Sequence, residues 1–445
     1  MKKKIIILGG GESGVGAALL CKQQGYDVFL SDAGQLKSNY QQELEENGIA
    51  FEQGGHTAAT VLSADEVMKS PGIPNNNSMV MAIVENKIPI ISEMELAYRH
   101  KGESRIIGIT GSNGKTTTTS MIYHICKESG IDCAMVGNIG ISISRQIAVD
   151  PRRLYVVEIS SFQLDDIISF RPDVAVLTNI TEDHLDRYDH DFEKYIASKF
   201  NIVKNQTEQD FFIYNADDPV TVNFLNKYPF HSKPLPISMQ REQPKGAFIK
   251  DGMMQLKQGE PLSMSIYDFA LKGKHNQYNT MAAALATSLI GIRKERIRDA
   301  VSSFESLEHR MEKVATVRGI DFINDSKATN VNSTWYALES MERPVTLILG
   351  GVDKGNDYDL IKDMVSEKVK TIICMGVDNS KIHAAFSGVV PNIIDASSAE
   401  EAVKKAYQVS AKGDVVLLSP ACASFDLFKN YEDRGDQFKK AVKEL

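Results

Sequence analysis

Residues 105–120, RIIGITGSNGKTTTTS, constrain the fold more than any other stretch of the chain. A β-branched run ends in a polar turn, two glycines flank Ser-Asn, and Gly-Lys-Thr opens a helix-compatible segment. In such a turn the backbone amides converge on one point at a helix N-terminus. A lysine and a hydroxyl complete a cradle for phosphate. Only a strand–loop–helix unit of an α/β sheet presents this arrangement. One feature departs from the usual phosphate loop: five residues before Gly114, where that loop carries glycine, stands Ile109. The plainer alternative, a glycine turn beside a surface lysine, leaves the order of strand, loop and helix unexplained.

The same alternation recurs along the chain. KKIIILGGGESGVG opens a first segment, and GIDFINDSKATN with PVTLILGGVDKGND a third. YVVEIS, DVAVLTNI, TIICMG and DVVLLSP are further strands ending in polar residues, where ligands gather in open α/β sheets. At 445 residues the chain exceeds one domain. The charged YRHKGES and the stretch FESLEHR suggest boundaries, giving expected domains 1–98, 99–306 and 307–445. The expected class is α/β: a Rossmann-like N-terminal domain, a central phosphate-loop domain with a mostly parallel sheet, and a Rossmann-like C-terminal domain. The turn-rich region 205–272 reads as a small antiparallel insert.

A net charge of −8 argues against general binding to nucleic acid or acidic membranes. Five cysteines without a C-x-x-C pair read as reduced thiols in a cytoplasmic protein. No apolar run approaches membrane-spanning length, and the four-residue run after the basic start is too short for a secretion signal.

Gly9, Gly11 and Gly14 fit G-x-G-x-x-G, with Asp32 at the end of the next strand where a ribose-binding acid would sit. A nicotinamide-dependent dehydrogenase would account for this cluster and nothing else. In the second cluster, Gly111, Ser112, Asn113, Gly114, Lys115, Thr116 and Thr117 form the phosphate cradle. Glu158 and His184 stand at strand ends as neighbours for Mg2+, alone readable as an ordinary strand-end carboxylate and a loop histidine. Asp183, Asp186 and Asp189 read as a solvated acidic turn, and Lys199, by helical spacing, as a surface residue.

Taken in order, TGSNGKTTT, GNIG, EISSFQL, TNITEDHLDRY, KGKHNQYN, LEHRME, NDSKATN, GGVDKGNDY and SPACASFDLFKNYEDRGDQF resemble the Mur ligase family of peptidoglycan synthesis over nearly the whole chain. The family's loop reads T-G-x-N-G-K-T-T and does not use the missing glycine. The later motifs are similar to the branch that adds D-glutamate to UDP-N-acetylmuramoyl-L-alanine; diamino-acid ligases carry D-N-P-[RK] where this chain has GGVDKGNDY.

The resemblance implies an ATP-dependent amide ligase acting through an acyl phosphate, with two Mg2+ ions. It implies Lys115 and Thr116 on ATP and the first ion, and Glu158 and His184 as further metal ligands. Lys199 would be a lysine carbamylated by CO2, which overrides its surface reading. Asn276 and His275 would lie on the adenine side, with Arg310 and Lys327 as active-site cations and Asp325 as the ribose contact. Ser13, Asp32, Gly72 and Asn138 would hold the UDP precursor; where the family often has an arginine after the acid, this chain offers Lys37. Thr329, Lys354, Ser419 and Phe428 would form the D-glutamate pocket. No nucleic acid or membrane partner is expected, and the chain is expected to be a monomer.

Overall fold

A computed structural model describes every residue except Met1, Glu260, residues 305–307 and Lys354. The first sheet contains β1 (Lys4–Leu8), β2 (Asp27–Asp32), β3 (Ala50–Gln53), β4 (Glu66–Lys69) and β5 (Ile90–Ile91), parallel throughout in the order β3-β2-β1-β4-β5. The strand order reverses between β1 and β4, so the crevice above them is the expected ligand position. There the GGGESG turn meets the KSPGIP turn, with Ser70 Oγ donating to the Gly9 carbonyl at 3.3 Å. Helix Glu12–Gln23 can approach this closely because of its glycines. A Cβ on Gly14 would lie 1.7 Å from the Gly9 carbonyl oxygen, and one on Gly16 would lie 2.1 Å from Ser142 Oγ.

The second sheet contains β6 (Arg105–Thr110), β7 (Cys133–Gly137), β8 (Leu154–Glu158), β9 (Val174–Leu177), β10 (Phe211–Asn215), β11 (Lys233–Ser238), β12 (Ala247–Lys250), β13 (Met253–Leu256) and β14 (Leu262–Ser265). Its order is β14-β13-β12-β11-β10-β9-β6-β8-β7. The expected antiparallel insert is corrected here. β10 and β11 join the parallel sheet through the crossover helix Pro219–Leu225, and only the pairings β12–β13 and β13–β14 are antiparallel. Alternating sequence identifies strands but does not say which neighbour they join.

The third sheet has β15 (Glu312–Val317), β16 (Ile320–Asn324), β17 (Val345–Leu349), β18 (Val369–Met375), β19 (Asn392–Ala396) and β20 (Val415–Leu418), ordered β15-β16-β20-β17-β18-β19. Only β15 is antiparallel to its neighbour.

The chain forms two compact units, residues 1–270 with 276–304, and residues 271–275 with 305–445. Within the first, one apolar core runs from Ile5 and Ile7 of the first sheet to Val157, Leu177 and Phe200 around the second. Glu95, on helix Glu93–His100, locks the two sheets' surroundings together: its Oε2 accepts the backbone N–H groups of Ile168, Ser169 and Phe170 at 2.9, 2.7 and 2.8 Å. Among the described residues no helix is long and apolar enough to cross a membrane.

Candidate functional site

The loop after β6 is fixed by the chain that leaves β9. Ser112 N–H donates to the Asn179 carbonyl at 2.8 Å, Asn113 N–H to Asn179 Oδ1 at 3.0 Å, and Thr178 Oγ1 to the Asn113 carbonyl at 2.6 Å. Ser112 Oγ donates to the Thr181 carbonyl at 2.8 Å and accepts from Thr181 N–H at 2.9 Å. Gly111 and Gly114 have φ of +145° and +83°, conformations that glycine adopts without the penalty a Cβ brings. A Cβ on Gly114 would lie 2.5 Å from Asn279 Oδ1, which itself accepts from Thr118 Oγ1 at 3.2 Å. Ile109 explains the missing glycine: it is a fully buried β6 residue, in register with Glu158 and Val176, so the strand continues where another phosphate loop would already turn.

Helix Lys115–Glu128 begins directly from the loop. Its threonines are poor intrinsic helix formers, but Thr116 to Thr119 are all buried. Thr119 Oγ1 is satisfied by the Lys115 carbonyl at 2.8 Å, as helical hydroxyls commonly are. Lys115 Nζ folds back to the Gly111 and Ser112 carbonyls at 2.8 and 2.9 Å.

Lys199 donates to the same Gly111 carbonyl at 2.8 Å. Two lysine amines thus share one oxygen. Lys199 lies on helix Phe192–Phe200, capped by Asp191, and is only 2% exposed. The reading of Lys199 as a surface residue is therefore wrong, because the strand-end loop across from this helix takes its amine. Its Nζ stands 4.5 Å from the Tyr195 ring centroid. Burial holds its pKa well below the usual lysine range, and Lys115 pushes the same way against Asp183 and Asp165. Burial also raises the Asp165 carboxyl, which accepts from Ser198 Oγ and Tyr188 OH at 2.5 and 3.1 Å.

Glu158 ends β8 and is 2% exposed; its Oε1 accepts from Asn138 Nδ2 at 2.9 Å, while Oε2 is buried without a hydrogen-bond partner. A buried, half-satisfied carboxylate beside a phosphate cradle suits an oxygen-seeking cation. The Asn138 backbone N–H also donates to the Glu158 carbonyl at 2.8 Å, so GNIG and the end of β8 are bound together twice. His184 lies within the acidic turn with φ +53°, half-exposed, its ring edge-to-face with Phe162 and its Nε2 3.6 Å from Asp183. Arg187 lies over the same ring, its guanidinium carbon 4.4 Å from the Phe162 centroid. It donates to the carbonyls of Pro71 and Gly72 at 3.0 and 3.3 Å. Asn276 accepts from Asn279 Nδ2 at 3.2 Å and is thereby tied to the loop helix.

In the first sheet, Asp32 staples the glycine turn by accepting Gly10 N–H on Oδ2 and Gly34 N–H, at 2.7 Å, on Oδ1. Ser13 lies in the first turn of the helix that follows. Lys37 lies 5.8 Å from the Tyr40 ring centroid.

In the second unit, Asp325 and Ser419 come together at the ends of β16 and β20, with Ser419 Oγ donating to Asp325 Oδ2 at 2.9 Å. Burial raises the Asp325 carboxyl to about 7 despite Arg310, Ser419 and the Met311 N–H, which favour its charged form. Burial and Arg310 lower His275 to about 4, and both His275 Nδ1 and Arg310 Nε are buried without a hydrogen-bond partner. Lys327 lies 5.2 Å from the Tyr431 ring centroid, and Thr329 N–H donates to the Lys327 carbonyl at 2.9 Å. Phe428 is a core residue packed with Ile348, Leu418 and Phe438. Lys354 lies outside the described residues.

Sequence reasoning missed Thr178, Asn179, Thr181, Asn279 and Tyr195, whose OH lies 3.1 Å from Ser112 Oγ; together these hold the loop. It also missed Arg434, which is 1% exposed and joins Ser326 to the Cys422 carbonyl. The polar TNIT after β9 was the available signal for the first three.

Three α/β sheets, the second ending at a glycine loop of the phosphate-cradle type with an orphaned carboxylate oxygen beside it, are the architecture of a nucleotide-using enzyme. Family models match as Mur ligase middle domain over residues 109–287, Mur ligase glutamate ligase domain over 309–422, and MurD N-terminal domain over 4–79. The chain belongs to the Mur ligase family. It is 52% identical to the UDP-N-acetylmuramoylalanine--D-glutamate ligase of Christiangramia forsetii, with all of both chains covered. It is 50% identical to the protein of that name in Bacteroides fragilis, again over all of both chains. Among solved structures it resembles UDP-N-acetylmuramate-alanine ligase MurC from Thermotoga maritima, with TM-score 0.63, 17% identity and full coverage of both chains. MurF ligase from Thermotoga maritima in complex with ADP matches at TM-score 0.60 and 15% identity, covering 94% of this chain and 95% of that one.

Proposed function

We propose that this protein joins the amine of D-glutamate to the carboxylate of UDP-N-acetylmuramoyl-L-alanine, with ATP converted to ADP and phosphate. The observation that carries the reading is the second-sheet site, where Lys115, Lys199 and Glu158 gather around a rigid glycine loop in a chain half-identical, end to end, to relatives bearing that name.

A carboxylate resists amines, because its charge repels nucleophiles and its oxygen leaves poorly. Transfer of the γ-phosphoryl group to that oxygen gives an acyl phosphate; the amine then adds to its carbonyl carbon, and phosphate departs. Bringing two anions together requires fixed positive charge and dipoles rather than covalent help from the protein. The amides of Gly111 to Thr117 and the Lys115 ammonium supply these in the first unit. Glu158, Thr116 and His184 would hold Mg2+, which binds phosphate oxygens and offsets their charge.

Lys199 is carbamylated in this reading. Its neutral amine adds to CO2 and releases a proton, replacing an ammonium that would repel a metal by a carboxylate-like group. Burial and the adjacent Lys115 support this, since both disfavour the ammonium. Asn276 and His275 serve the adenine side, Asp325 the ribose, and Arg310 and Lys327 the phosphates. Ser13, Asp32, Gly72 and Asn138 serve the UDP precursor, and the meeting of the GGGESG and KSPGIP turns supports a ligand there. Thr329, Lys354, Ser419 and Phe428 serve D-glutamate. The working domains are 1–98, 99–306 and 307–445, in a cytoplasmic monomer.

The test is phosphate release from ATP and UDP-N-acetylmuramoyl-L-alanine with a panel of amino acids. D-glutamate is expected to support turnover; release with L-lysine or another amino acid, and none with D-glutamate, refutes the assignment.

A further inference from the structure

A cluster of metal-binding chemistry lies in the third sheet, among residues that no step above uses. Cys374 and Asp395 are the penultimate residues of the neighbouring parallel strands β18 and β19, and the register pairs them directly. The short helix Ser380–Phe386 connects these strands and brings His383 to the same place. His383 Nε2 lies 3.1 and 3.2 Å from the two Asp395 carboxylate oxygens. The ligand atoms of Cys374, His383 and Asp395 all lie within 4.8 Å of one another.

We propose that Cys374, His383 and Asp395 form a binding site for a thiophilic divalent cation, Zn2+ being the best match. In a tetrahedral zinc site, bonds of about 2.0–2.3 Å place ligand atoms roughly 3.2–3.8 Å apart. The His383–Asp395 pair already has that spacing, and rotation about side-chain bonds closes the remainder. One thiolate, one carboxylate and one neutral imidazole balance a dication, and the sulfur selects zinc over magnesium. The strand-end position leaves a fourth direction open, since His383 and Asp395 are 39% and 61% exposed in their side chains. Asn379 Nδ2 donates to Asp395 Oδ1 at 2.9 Å, the kind of outer contact that orients a metal-binding carboxylate. A surface His–Asp contact alone accounts for two of these groups; it does not account for the cysteine in register beneath them.

The test uses the full-length protein, freed of metal by chelation and returned to excess Mg2+ so that magnesium sites are filled. Titration with Zn2+ should show one site per chain of micromolar or tighter affinity. Co2+ in its place should produce the near-ultraviolet charge-transfer band of a cobalt–thiolate bond. Cys374→Ser should abolish that band. His383→Ala, on a helix where the side chain is partly exposed, should weaken Zn2+ binding at least tenfold, and Asn379→Ala should weaken it less. No zinc uptake, uptake without a cobalt–thiolate band, or undiminished affinity in His383→Ala overturns the proposal.

Discussion

Replacing Gly111 by alanine tests whether the phosphate loop depends on its backbone geometry. At φ +145° a Cβ would lie 1.9 Å from Thr178 Oγ1 and 3.1 Å from the Asn179 carbonyl oxygen. Two costs add. An unfavourable backbone conformation is worth about 1–3 kcal/mol. Moving the Thr178 hydroxyl off the Asn113 carbonyl forfeits a hydrogen bond of about 1 kcal/mol and overpacks the contact by about 1–3 kcal/mol. The sum is on the order of 3–7 kcal/mol, divided between lost stability and displacement of the loop. Because the Gly111 carbonyl receives both Lys115 and Lys199, a shift near 1 Å misplaces both lysine side chains at once. Displacements of that size cost about a hundredfold in rate. Gly111→Ala should therefore lower kcat/KM for ATP-dependent phosphate release at least a hundredfold and reduce thermal stability. Adding Thr178→Gly removes the steric part and should recover stability relative to Gly111→Ala, while the φ penalty remains. A Gly111→Ala protein with kcat/KM and thermal midpoint near those of the unmodified chain refutes the reasoning.

Lys199→Ala should lose most ligase activity and regain part of it with a short carboxylic acid in excess; an active, unrescued variant refutes the carbamate. Glu95→Gln should cost about 2–3 kcal/mol at pH 7, because three charge-assisted hydrogen bonds become neutral. Burial pulls the Glu95 carboxyl up, but its hydrogen bonds from Ser169, Ile168 and Phe170 more than reverse this and hold it below the usual range. Its contribution is thus present above the unfolded pKa and lost as pH falls through the folded one. Urea unfolding followed by circular dichroism should show the variant's deficit shrinking on acidification below about pH 4. Asp325 behaves oppositely. Burial raises its pKa to about 7, so its contribution is full below about pH 4 and is lost as pH climbs to 7. Asp325→Asn should gain thermal stability relative to the parent between pH 4 and 7.5 in ligand-free protein, and an unchanged difference refutes the assignment.

The alternation of short apolar runs with helical stretches made the three α/β layers legible, and Gly111 and Gly114 announced a turn that a side chain would obstruct. Lys199 was misread because an isolated helix offers no reason to bury a lysine. Its partner is the Gly111 carbonyl, 88 residues away in sequence, and only folding brings the two together. Separation in sequence likewise hides Thr178, Asn179 and Asn279, which hydrogen-bond to the loop and its helix. Region 205–272 shows the complementary limit. Strand propensity marked its elements, but the choice between a parallel extension and a separate hairpin depends on crossover geometry that local pattern does not encode.

The double attachment of Asn138 to Glu158 makes two neighbouring strand ends a single lever. Any displacement of the GNIG turn is carried by these two hydrogen bonds, 2.8 and 2.9 Å long, to the carboxylate at the tip of β8.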